Sequence, residues 1–164
     1  MKLLNRKRKP IAPESRHLMN VSLIALSLAG AYALLKSILI PATHSVNPHI
    51  LFRTGHSASQ QDQYVTFLLK DDYLPGGSSH LVKRLGCIAG QYLMREANQF
   101  YCDGKQIALV MLRDSDGKSL PQFHYAGIIP VGKAFAVGDT INSYDSRYWG
   151  FISIADTERL VPLI

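Results

Sequence analysis

Tryptophan and cysteine are nearly missing from this 164-residue chain, which has one Trp and two Cys, and charged residues make up only 18% of it. The absences exclude several classes of chemistry. Six histidines are scattered without a His-Glu-x-x-His run or a Cys-x-x-Cys pair, so the usual ligand spacing of a zinc site is lacking and no metal or cofactor is expected. The run Asp116 to Ser119, "DGKS", has the ending of a phosphate loop, but the first glycine of that motif would fall at Leu112 and no helical pattern comes after it. No internal repeat or low-complexity segment stands out. A net charge of +6 raises the question of nucleic acid, yet six cations against Glu14 put +5 of it within residues 1–17 and leave +1 for residues 18–164. A basic face on the domain, and nucleic-acid binding with it, is therefore not supported.

The segment after the basic arm is apolar. "LMNVSLIALSLAGAYALLKSILI", residues 18–40, carries only Lys36, close enough to its end for the long stem to reach the headgroups. About 20 apolar residues cross the hydrocarbon layer, so this run predicts a transmembrane helix ended by Pro41. Positive charge before it and little after it predict a cytoplasmic arm (1–17) and an exported domain (41–164). The competing reading is a cleaved signal peptide at "AYA", Ala31 to Ala33; the apolar run continues past that point, which favours the anchor.

From Pro41 onward the period changes. Short β-rich runs, among them "QYVTFLL", "HLVKRLGCIAG", "QFYC", "KQIALVML" and "KAFAVG", are separated by turns rich in Gly, Asp, Ser and Pro. A single, mainly β domain is the expectation, and the length suits one core. Cys87 and Cys102 lie in this part, where an oxidising compartment permits a disulfide; two buried thiols are the alternative. A Ser-His dyad from His44 and Ser45 is disfavoured, because neighbours in an extended chain point to opposite faces.

Four blocks then occur in a fixed order: "THSVNPHI" (Thr43 to Ile50), "QDQYVTF" (Gln61 to Phe67), "LVKRLGCIAGQYL" (Leu81 to Leu93) and "GDTINSYDSRYWGF" (Gly138 to Phe151). Taken together they resemble the bacterial type I signal peptidases, serine peptidases with a Ser-Lys dyad; "SYDSRYWG" is the most specific of them. The resemblance implies a signal-peptidase-type, β-barrel-like catalytic domain behind one membrane helix, in the inner membrane with the catalytic domain in the periplasm. It also implies Ser45 as nucleophile and Lys83 as base. A serine hydroxyl is a weak nucleophile until a base takes its proton. A free lysine, with a pKa of about 10.4, fills that role only if burial disfavours its ammonium form. Lys83 lies in the most apolar strand-like run that holds a lysine, whereas Lys70, Lys105 and Lys118 lie in or beside polar turns.

By the same resemblance, the Ser45 N–H and the Thr43 hydroxyl form the oxyanion hole, Ser143 hydrogen-bonds the Lys83 amine and aims it, and Asp145 pairs with Arg147 to hold the loop. The chain departs from the family at Ala89-Gly90-Gln91, where Pro-Gly-Asp is usual, and at Val46, where methionine commonly comes after the nucleophile. Its single anchor and compact domain look closer to the TraF-like, conjugative-transfer branch, which matures pilins and in some members cyclises them. The expected partners are thus a pilin or other exported precursor and the lipid bilayer. The contrasting reading is a non-catalytic β-module of an envelope secretion or mating-pair assembly.

Overall fold

Pro13, preset for the first helical turn by its ring, opens the helix α1 (Pro13–Lys36) in a computed structural model that describes residues 13–164. Leu and Ala dominate the helix, and its serines do not leave their hydroxyls idle: Ser22, Ser27 and Ser37 each donate to the carbonyl one turn back, at 2.8–3.1 Å. The 21 residues Arg16–Lys36 are long and apolar enough to cross a membrane. Residues 1–12 of the expected basic arm lie outside the described residues. The expected end at Pro41 is corrected. The Ser37 N–H turns back to Leu34 O at 3.1 Å, and Ile38–Leu39 leave the helix to form strand β1, because their backbone groups find partners in Leu51 and Phe52.

Ile38–Ile164 form a second unit. It is mainly β and consists of two antiparallel sheets, as the sequence pattern led one to expect. The larger runs β1, β2 (Leu51–Arg53), β11 (Glu158–Pro162), β3 (Tyr64–Lys70), β4 (Ser78–Ile88), β9 (Lys133–Val137) and β10 (Ile152–Ser153). The smaller runs β7 (Lys105–Leu109), β6 (Gln99–Cys102), β5 (Tyr92–Glu96) and β8 (Ala126–Ile128). β11 has no counterpart among the β-rich runs of the sequence; it inserts between β2 and β3 and takes the end of the described chain into the middle of the sheet.

β9 is apolar on both faces, and the reason is its place between two cores. Phe135 and Val137 join Cys87, Leu93, Phe100, Ile129 and Tyr148, while Ala134 and Ala136 join Val65, Phe67, Leu85 and Ile152. β4 serves both cores through a bulge at Gly86. The register with β9 slips between Leu85 and Cys87, so these two residues, which regular alternation would put on one face, enter different cores. A side chain at Gly86 would come 2.9 Å from Val137 Cγ2, which leaves glycine as the residue that fits. Cys87 is bonded to Cys102, joining β4 of one sheet to β6 of the other. Gly90 turns the chain between β4 and β5 at φ +88°. Gln91 closes that turn, its Oε1 accepting the Ile88 N–H at 2.9 Å and its Nε2 donating to Asp103, so an amide serves where the family usually has aspartate.

Candidate active site

The segment between β1 and β2 carries Thr43 and Ser45 and is anchored by its apolar residues: Val46 and Pro48 are buried, while Thr43, His44 and Asn47 are exposed. That alternation presents Ser45 at the domain surface, half-buried, over β4. β4 is paired on both sides, by β3 and β9, and Lys83 stands opposite Val65. A lysine there is held between neighbouring strands, and it is 3% exposed. Its Nζ lies 3.0 Å from Ser45 Oγ, and no carboxylate hydrogen-bonds it among the described residues. Thr43 Oγ1 donates to the same Ser45 oxygen at 3.2 Å. His44, next in the chain to Ser45, is not its partner; it packs edge-on against the His49 ring.

Burial is the main cause that lowers the Lys83 pKa from 10.5 to about 8. The Asp145 carboxylate opposes the shift, the Arg147 guanidinium adds to it, and Asp139 opposes it weakly. Lys83 therefore supplies an appreciable neutral fraction at ordinary pH, as a general base must.

The segment after β9 closes the site from the other side, and its shape is set by a buried ion pair. Arg147 Nε and Nη2 grip Asp145 Oδ1 and Oδ2 at 2.7 and 2.6 Å, with both residues at 2% exposure or less. The rest of the guanidinium is spent on carbonyls: Leu109 and Ile141 at 2.5 and 3.1 Å from Nη1, Thr140 and Ser143 at 3.3 and 2.9 Å from Nη2. Asp145 in turn accepts the Gly138 N–H at 2.7 Å and caps the short helix α2 (Ser146–Trp149) through the Arg147 N–H. A bidentate pair with every polar group satisfied is rigid, and removing one partner leaves a buried charge at a cost of about 3–5 kcal/mol. Loop 138–145 is thus moulded around Arg147.

Ser143 is where the sequence expectation needs correcting. It lines the same cleft as Ser45 and Lys83, of about 720 Å³, with Leu81 and Tyr144. Yet its hydroxyl makes no hydrogen bond to the Lys83 amine and has no partner among the described residues. The cause is its packing on Gly138: the serine side chain occupies the space that a β-carbon on that glycine would need.

Sequence reasoning missed two residues here. Gly138 is one; a β-carbon on it would also come 2.7 Å from the Ser45 carbonyl oxygen, so the Ser45 and Ser143 segments meet over a bare α-carbon. Asp139 is the other. Its N–H donates to Ser45 O at 2.8 Å, and its carboxylate accepts the Asn47 N–H at 2.9 Å, the Tyr64 hydroxyl at 2.8 Å and Arg84 Nε at 2.8 Å. Burial alone would raise the Asp139 pKa, but Arg84, Asn47 and Tyr64 outweigh it and hold the carboxyl below its usual range. Arg84 also pairs with Asp62. Asp139 therefore clamps both sides of the Ser45 segment to β3 and β4. The signal in sequence was the Gly-Asp pair itself, an acid beside glycine directly after an apolar strand.

Among the described residues no group of three or more His, Cys, Asp or Glu is placed to hold a metal. A serine hydroxyl, a buried amine within hydrogen-bonding distance and a neighbouring hydroxyl make up the chemistry of acyl transfer without a histidine.

The same arrangement of blocks is recognised by the signal peptidase model (peptidase S26), which matches residues 19–160. The chain belongs to this family. Among individual relatives, the conjugal transfer protein TraF of Agrobacterium fabrum is 29% identical over 97 residues, 58% of this chain and 54% of that protein. The match thus spans about half the length of that relative. Among solved structures, a signal peptidase I from Enterococcus faecalis is similar at a TM-score of 0.41 and 22% identity, over 63% of this chain and 97% of the other. Membership supports a peptidase role.

Proposed function

We propose that this protein is a membrane-anchored serine endopeptidase whose dyad is Ser45 and Lys83, and that it matures exported precursors, a conjugative pilin foremost. The observation that carries the reading is the buried Lys83 amine 3.0 Å from Ser45 Oγ. In its neutral form the amine takes the Ser45 proton as Oγ attacks the scissile carbonyl. The carbonyl oxygen becomes an oxyanion held by the Ser45 N–H, which has no partner among the described residues, and by the Thr43 hydroxyl, which is released from Ser45 Oγ as that oxygen bonds to carbon. One such donor contributes about 3 kcal/mol to the transition state. The Lys83 ammonium then gives its proton to the leaving amine, and the acyl ester on Ser45 is left. Water resolves it by hydrolysis, or a pilin amine resolves it by forming a new peptide bond.

In this reading Asp145 and Arg147 hold the loop, and Ser143 fills the floor of the cleft beside the dyad. α1 spans the inner membrane with its basic end in the cytoplasm, residues 41–164 face the periplasm, and the Cys87–Cys102 bond agrees with an oxidising compartment. The similarity to a conjugal transfer protein supports a substrate within conjugative transfer.

The test is co-expression of a conjugative pilin precursor with the wild type, Ser45→Ala and Lys83→Ala, followed by intact-mass measurement. Only the wild type is expected to shorten the precursor; a linear product indicates hydrolysis, and a product lighter by one water indicates ring closure. Normal processing in either variant would refute the dyad.

A further inference from the structure

Beyond Ser143, on the side away from Ser45, a second cavity of about 160 Å³ opens beside the cleft. Asn142, Ser143 and Tyr144 line both, so the two cavities are neighbours that share one wall. Its wall is a ladder of stacked tyrosines: Tyr73 on Tyr144 at 4.6 Å between ring centres, and Tyr144 on Tyr148 at 5.5 Å. Met111 and Leu120 complete the lining. We propose that this cavity is a subsite for one aromatic side chain of the polypeptide bound across Ser45, an inference that rests on the proposed peptide-binding role of the cleft.

Size, chemistry and position each favour that occupant. A cavity of about 150 Å³ accommodates a benzene ring, so this volume takes one phenyl group and is too small for an indole beside further substituents. Stacked rings and a thioether are the surfaces against which an aromatic ring gains most over an aliphatic chain. Charge at the rim is already used within the protein. Asp114 accepts the Tyr73 hydroxyl and the N–H groups of Asp116 and Lys118, and Arg113 donates to Gly117 O, which leaves little to recognise a charged side chain. At the boundary between the two stands Ser143, and the residues on either side of it, Asn142 and Tyr144, also face both cavities.

The test uses the full chain carrying Ser45→Ala, reconstituted in phosphatidylcholine vesicles, and dye-labelled peptides of Ala, Ser and Lys in which a single Phe is moved one position at a time. Anisotropy titration is expected to find one position, or two adjacent ones, where Phe binds about five- to tenfold more tightly than Ala. Leu120→Trp, which plugs the cavity, and Tyr73→Ala, which removes a wall, are each expected to bring that ratio close to unity. No Phe preference at any position, or a preference that survives in both variants, would overturn the proposal. Failure of the dyad reads differently: precursor processing would persist with Ser45→Ala whatever the Phe preference in binding.

Discussion

Replacing Gly138 by alanine adds a single methyl group at the point where the two halves of the site touch. φ at Gly138 lies outside the left-handed region, so the backbone tolerates alanine and only space is at issue. The new carbon would overlap the Ser143 side chain and stand 2.7 Å from Ser45 O, where ordinary contact begins at 3.4 Å. Neither neighbour can retreat freely. Ser45 O is held by the Asp139 N–H at 2.8 Å, and the Gly138 N–H is held by Asp145 at 2.7 Å. Relief therefore requires the Ser45 segment to move by roughly 0.7 Å relative to Lys83. Overpacking of this kind costs about 1–3 kcal/mol of stability, and a displacement near 1 Å at reacting atoms lowers turnover by about a hundredfold. Steady-state kinetics on a cleavable precursor peptide, with urea denaturation alongside, should show a fall in kcat well beyond the change in KM. Adding Ser143→Gly removes one of the two overlaps and should restore part of the stability while kcat stays low, because the contact with Ser45 O remains. A Gly138→Ala enzyme with kcat within about twofold of wild type would refute the packing argument.

Asp139→Asn keeps the shape and removes the charge that faces Arg84. The variant should lose about 3 kcal/mol by urea denaturation and lose activity with it, since the Asn47 and Ser45 contacts share that residue; unchanged stability would contradict the clamp. Replacing Cys87 and Cys102 by alanine opens a loop with a sequence separation of 15 and should lower stability by about 3 kcal/mol, read as the shift in urea midpoint against the oxidised wild type. For Lys83 the sign is that of a carboxylate with a lowered pKa and runs against that of a lysine held by an acidic partner. Its folded pKa, about 8, lies below its ordinary value of 10.5, so below pH 8 both states hold the proton and the fold bears the full cost of a buried ammonium, about 3 kcal/mol. Between these values the folded state releases its proton first and stability rises with pH. Lys83→Met should therefore be more stable than wild type at neutral pH by up to that amount, with the difference shrinking as pH rises to 10.5.

Alternation and turn residues made the β character of the domain legible, and the pairing of Ser45 with Lys83 was expected from a family pattern and a lysine in an apolar strand. The features that escaped did so for physical reasons. Ile38–Leu39 are as apolar as the helix before them, so composition alone does not mark where helix gives way to strand. β11, "ERLVP", mixes charge and proline in five residues, and only its pairing with β2 and β3 makes it a strand. "YWGF" has strand-forming residues but begins in α2, because the Asp145 cap and the Arg147 grip override local preference. Asp139 and Gly138 act over separations of 92 and 93 residues from Asn47 and Ser45, and such contacts leave no local period to read. Ser143 was expected to reach Lys83 by the family resemblance; here its side chain packs on the bare α-carbon of Gly138 instead.

The pH dependence of single-turnover cleavage tests most directly whether a neutral Lys83 activates Ser45. The rate should rise with pH to a plateau, with a midpoint near 8, and Lys83→Arg, whose guanidinium keeps its proton, should be inactive throughout. A rate that is flat between about pH 6 and pH 10, or a Lys83→Arg enzyme that cleaves at the wild-type rate, would contradict the assignment.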